Sequence, residues 1–138
     1  MRHLIFIVLL FFVSVANAAG ERIKLVSDFT PEITLDRFVQ ALEREGVPIL
    51  NEDEGMGSAN EVKFANPLFG ANIGLCGKGL RKDKPMKVVV WKDDNGTSWL
   101  SYESPRDIVN NFGVIECGHE TDNLRRTLKG FVTTATEN

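Results

Sequence analysis

The stretch KVVVWKDDNGTSWLSYESP, Lys87 to Pro105, decides the fold. Two runs rich in β-branched and aromatic residues flank Asn95-Gly96, the pattern of a β-hairpin. A two-residue type I′ turn needs positive φ at both central positions, which Asn and Gly tolerate. Pairing Asp94 with Thr97 across that turn sets Trp91 opposite Leu100 and Val89 opposite Tyr102, so these four share the face expected to be buried. Trp99 then lies on the other face with Val88, Val90, Lys92 and Ser101, among mixed polar neighbours.

Upstream of the hairpin, RIKLVS (Arg22 to Ser27) alternates, with Ile23, Leu25 and Ser27 on one side, and predicts a half-buried strand. A helix follows. Thr30 can cap it, Pro31 fits the first helical position, Leu35, Phe38, Val39 and Leu42 recur at helical spacing, and Gly46 ends it. Pro48 to Leu50 and Glu61 to Ala65 read as short strands on either side of the acidic turn segment NEDEGMGSAN. Asn66-Pro67 can open a helix towards Cys76, although Gly70, Gly74 and Gly77 weaken it. Downstream, Ser104-Pro105-Arg106-Asp107 has the outline of a capping box for a short helix carrying Ile108, Val109 and Phe112. Leu124, Leu128 and Phe131 mark a last amphipathic helix, capped by Thr121 or Asp122. The order β-α-β(4)-α implies an α+β domain, an antiparallel sheet with helices packed on one face.

The first 18 residues, MRHLIFIVLLFFVSVANA, have a short basic start, an apolar run from Leu4 to Val15 and Ala16-Asn17-Ala18, the succession of a secretory signal peptide. Cleavage is expected before Ala19, which places the protein in the periplasm or outside the cell. The apolar run falls short of the roughly 20 residues that span a bilayer. Residues 19–138 have the size of a single domain. The whole chain carries a net charge of −3, and residues 1–18 remove one cation and no anion. An acidic exported domain is a poor partner for nucleic acid.

The helix TLDRFVQALEREG, the segment FANP (Phe64 to Pro67) and the hairpin VVVWKDDNGTSWLSYESP together resemble the bacterial domain-of-unknown-function family 302. That family shows a Phe-Gly-Asn-Pro segment, a Val-Trp-Glu-Asp-x-x-Gly hairpin and a Tyr-Asn-Asp-Pro opening of the next helix. The resemblance covers nearly all of residues 19–138. It implies a TATA-binding-protein-like α+β fold that pairs into homodimers, with no established biochemical role. Exported relatives often carry histidines at two places that fall here at about Glu54 and at Phe112, so this chain lacks any chemistry those histidines perform. Ala65 stands where glycine is usual and Ser104 where aspartate is.

No residue set spells out a reaction. GANIGLCGKGLR fails as a phosphate loop, because a Walker spacing would require glycine at Asn72 and a hydroxyl residue at Gly79. Lys78, Arg81, Lys82, Lys84 and Lys87 form a basic run in an otherwise acidic protein. Such runs are usually solvated surface; the sharper reading is a landing site for a small anionic ligand, a lipid headgroup or an acidic partner, with Trp99 and Lys92 as neighbours. Cys76 and Cys117 are the only cysteines, and in an oxidising compartment they are either disulfide-bonded or buried thiols. With His119, the only histidine after residue 18, they form the set from which a thiol or metal-dependent redox protein would be built. The acidic residues Glu52 to Glu54 and Asp93-Asp94 fall in turns, where carboxylates face water, and the sequon Asn95-Gly96-Thr97 is accounted for by the turn. The expected function is a non-catalytic module that binds a small ligand or partner protein without a cofactor, as a homodimer. The redox protein is the alternative.

Overall fold

The computed structural model describes residues 22–50, 60–68, 76, 84–105 and 117–138. The expected signal peptide, the acidic segment 51–59, the glycine-rich and basic segment around residues 69–83 and the helix after Pro105 lie outside the described residues. The elements are β1 (Arg22–Ser27), α1 (Pro31–Arg44), β2 (Glu61–Phe64), β3 (Met86–Lys92), β4 (Ser98–Glu103) and α2 (Gly118–Thr136). The strands form one antiparallel sheet in the order β1-β4-β3-β2. The two helices contact each other and the sheet, the α+β arrangement expected from the sequence. Pro48 to Leu50 forms a single bridge, Ile49 to Phe64, rather than a strand.

The hairpin register differs from the expected one by one residue. Trp91 pairs with Trp99, Val90 with Leu100 and Val88 with Tyr102. The cause is Asp93. Its Oδ1 accepts the backbone N–H groups of Asn95 (3.0 Å) and Thr97 (2.9 Å), while its own N–H donates to the Thr97 carbonyl at 2.9 Å. The Gly96 N–H closes a turn on the Asp93 carbonyl at 3.0 Å, with Gly96 at φ 80°. Three residues therefore connect the strands, a type I turn followed by a left-handed glycine. Because strand side chains alternate with period two, the slip moves every residue of β4 to the opposite face relative to β3. The core receives Val88, Val90, Leu100 and Tyr102, and Trp91 joins Trp99 on the outer face, where both are half-buried.

The predicted cap holds at α1: Thr30 Oγ1 accepts from the Ile33 N–H at 3.3 Å, Pro31 occupies the first turn, and Gly46 follows the C-cap at φ 68°. The helix buries Leu35, Phe38, Ala41 and Leu42. Phe38, fully buried, meets Phe64 edge-on at 5.3 Å and Phe131 at 6.4 Å, so one ring ties α1 to the sheet and to α2. α2 begins earlier than its sequence suggests, at Gly118 with Cys117 in the cap position. Thr121 turns its hydroxyl back to the Cys117 carbonyl (2.7 Å) instead of capping. Leu124, Leu128, Phe131, Val132 and Ala135 form its buried stripe.

The far end of α2 has no basic residue in its last turn. Arg37 of α1 supplies the charge, donating to the carbonyls of Thr134 (3.0 Å) and Glu137 (3.2 Å) while its guanidinium lies 4.2 Å from the centre of the Phe29 ring. The helices thus run antiparallel. Beside this contact, Ser27 and Thr34 share a buried hydroxyl hydrogen bond of 2.6 Å, and the Thr34 hydroxyl also donates to the Thr30 carbonyl at 2.8 Å. No buried side-chain polar atom is left unpaired among the described residues.

Candidate functional site

Where the helices diverge from this end, a groove of about 460 Å³ opens between them. The last turn of α1 and the residues after it contribute Ala41, Arg44, Glu45 and Val47; the second half of α2 contributes Arg126, Thr127, Gly130, Phe131 and Thr134. The volume is that of a small-molecule site. Its floor is apolar, from Ala41, Val47 and Phe131, and its rim carries two arginines against one glutamate. Thr127 and Thr134 donate their hydroxyl protons to the carbonyls of Asn123 (2.9 Å) and Gly130 (3.0 Å). The strongest side-chain donors facing the groove are therefore the arginines, and the threonine oxygens remain as acceptors.

Among the described residues nothing requires glycine at position 130. It sits within α2, solvent-exposed, and a Cβ built there meets nothing within 4 Å. A glycine inside a helix costs about 1 kcal/mol relative to alanine, and packing among the described residues does not explain it. Its effect is to leave the groove wall low at its centre.

The second surface is the outer face of the sheet. Trp91 and Trp99 stack there with ring centres 6.4 Å apart and planes 16° from parallel. Asp93 Oδ2 accepts the Trp99 indole N–H at 2.9 Å. That bond, with the Thr97 and Asn95 N–H groups, holds the Asp93 carboxyl below its ordinary value. The Lys24 ammonium lies 6.0 Å from the Trp91 ring, and Val26, opposite Trp99 on β1, is 55% exposed. Further along the face, Arg22 donates to the Ser101 hydroxyl (3.2 Å) and pairs loosely with Glu103 at 4.0 Å, and Lys87 pairs with Glu61 at 3.8 Å.

The sequence-derived residues do not come together as expected. Lys92 pairs with Ser98 and so leaves the sheet on the side opposite Trp99; Lys24 is the cation beside the tryptophans instead. Lys78, Arg81 and Lys82 lie outside the described residues, and Lys84 is exposed. Cys76 and Cys117 are joined in a disulfide with Cα atoms 5.6 Å apart, Cys117 fully buried and Cys76 half-buried. His119 is exposed on the first turn of α2. The groove residues went unnoticed in the sequence because Arg44 and Arg126 sit on polar helix faces that look merely solvated. A glycine in the middle of α2 was the one available signal.

No curated protein matches the chain. A family model does, the domain of unknown function DUF302, across residues 23–135, from the second residue of β1 to the penultimate residue of α2. The sheet, both helices, the hairpin and the groove between the helices all fall inside that match, and the chain belongs to the DUF302 family.

Proposed function

We propose that the protein is an exported, non-catalytic binding module that holds a small anionic molecule with an apolar body in the groove between α1 and α2. The observation that carries this reading is the pairing of Arg44 and Arg126 with an apolar floor in a cavity of about 460 Å³. Arginine suits carboxylate and phosphate because its planar fork donates two parallel hydrogen bonds. The low wall at Gly130 lets a ligand lie close to the helix backbone.

A thermal-shift screen of aromatic and aliphatic carboxylates and phosphate monoesters tests it. Ligands of this class are expected to raise the melting temperature of the parent protein but not of Gly130→Leu, whose side chain fills the groove, nor of Arg126→Glu. Trp99→Ala should respond like the parent. A screen without stabilising compounds, or hits indifferent to both groove variants, would count against the site.

A homodimer is the second part of the proposal, supported by the outer sheet face, which carries Trp91, Trp99 and exposed Val26. Four strands of four to seven residues, about 4.8 Å apart, offer roughly 400 Å² per copy, about half of what a stable interface usually buries per partner. The dimer is accordingly in exchange with monomer. Sedimentation across a concentration series should show this exchange, and Trp91→Lys should abolish it. Export is tested by intact mass: the exported species is expected to begin at Ala19.

A further inference from the structure

The disulfide has a third neighbour. The sulfur atoms of Cys76 and Cys117 and a carboxylate oxygen of Glu120 all lie within 4.8 Å of one another. Helical spacing explains this: Glu120 is three residues beyond Cys117 and rises on the same face of α2, whereas His119, two residues beyond, leaves on another and is exposed. The residue beside the sulfurs is thus Glu120, not the histidine that sequence proximity suggested. A carboxylate does nothing for a disulfide, which carries no charge and offers it no proton.

The same three atoms have a use once the bond is opened. In a tetrahedral zinc site the metal lies about 2.3 Å from sulfur and 2.0–2.2 Å from carboxylate oxygen, which places neighbouring ligand atoms roughly 3.5–4 Å apart by the same geometry. Here the Glu120 oxygen lies within 4.8 Å of both sulfurs, so a cation would require the carboxylate to close in slightly and the sulfurs, once unbonded, to move apart. We propose that the two-electron-reduced form of the protein binds one zinc-like divalent cation through Cys76, Cys117 and Glu120, with a fourth position left for water, and that the disulfide and the cation are alternative occupants of one site.

The balance is simple. A dithiol reductant gives two electrons and two protons to the Cys76–Cys117 bond and is itself oxidised to a disulfide, leaving two thiols; the cation then displaces both thiol protons. The N-terminus of α2 favours the Cys117 thiolate, since Cys117 stands in its cap position. Glu120 opposes a pair of uncompensated thiolates beside it, so the reduced site gains by taking a cation. Cys76 is half-buried and gives access from solvent, while Cys117 is sealed beneath it. Cys117 and Arg126, the nearest groove residue on α2, are nine residues apart, about 14 Å along the helix axis, so this site is separate from the groove.

The test is a cadmium titration of the full chain, oxidised and after reduction and anaerobic removal of the reductant, read by thiolate-to-cadmium absorption in the near ultraviolet, with far-ultraviolet circular dichroism on the same samples. One equivalent is expected to bind the reduced protein and none the oxidised. Glu120→Gln should weaken binding by about tenfold or more, as loss of a ligand-shell group does, and His119→Ala should leave it unchanged. The proposal is overturned if the reduced protein binds no cadmium, or if Glu120→Gln binds as tightly as the parent. It is equally overturned if His119→Ala abolishes binding, or if reduction removes the helical signal and cadmium does not restore it.

Discussion

Glycine 130 and glycine 46 make a matched pair for testing the backbone of this protein. At both, a Cβ would meet nothing within 4 Å, so neither substitution by alanine creates a clash or gains a contact. Both remove the same flexibility from the unfolded chain. They differ in backbone conformation: Gly130 lies inside α2, and Gly46 has φ +68°. Alanine in a helix interior is favoured over glycine by about 0.8–1 kcal/mol, so Gly130→Ala should stabilise by that amount. Alanine in the left-handed region is disfavoured by roughly 1–2 kcal/mol, so Gly46→Ala should destabilise by about 1 kcal/mol. Urea melts of the oxidised protein provide the assay. The two midpoints should move in opposite directions from the parent at unchanged slope, and the melting temperatures should part by roughly 5–12 °C for a domain of this size. A loss of stability in Gly130→Ala would refute the account, since it would mean that the space above Gly130 is filled by the chain itself and that no groove exists there.

The revised hairpin register makes Leu100→Ala the costly change, about 3 kcal/mol as for other fully buried leucines, while Trp91→Ala should cost about 1 kcal/mol, the worth of a half-exposed aromatic stack; equilibrium denaturation ranks them. The depressed Asp93 carboxyl stabilises the folded state fully above its unfolded value of 3.8, and that contribution is lost as pH falls through the lower folded value. Acid titration of stability should therefore be shallower in Asp93→Asn, and Trp99 fluorescence should lose its acid transition. Cys76→Ser with Cys117→Ser releases a constraint between residues 41 apart and should cost up to ~4 kcal/mol in the chain-entropy description, seen as a fall in urea midpoint matched by the parent under reductant.

The sequence carried the fold a long way. The capping of α1 by Thr30 and Pro31, the core stripes of both helices and the inward side of β1 were all legible because periodicity and capping are local properties. The hairpin pairing was not. Asn95-Gly96 is a strong signal for a two-residue turn, but Asp93 offers the backbone a competing acceptor, and its two bonds to Asn95 and Thr97 convert the connection to three residues. A local side-chain choice thus reversed the facing of Trp91 and of all of β3, and left Trp99 on the outer face where it was expected. The candidate site was less legible still, because a groove is a relation between elements. Arg44 and Arg126 are 82 positions apart and acquire a common purpose only when α1 and α2 lie antiparallel. Glu120 beside the cysteines needed the true start of α2, which begins three residues before its first hydroxyl-bearing capping candidate.

The strand order β1-β4-β3-β2 sets the sequence of events in folding. β1 is the first described strand, yet among the described residues its only sheet neighbour is β4, and the Asp28 N–H beside it donates to the Thr136 carbonyl at the far end of α2. β1 therefore has no strand to pair with among the described residues until the last third of the chain has arrived. The local β3–β4 hairpin is the natural nucleus, and closing β1 and α2 onto it spans most of the polypeptide, which places assembly among the slower, high-contact-order domains. A chain cut anywhere before Ser98 leaves β1 as an unpaired strand, and such a fragment is expected to stay unfolded and prone to pair with other strands rather than to persist as a smaller stable unit.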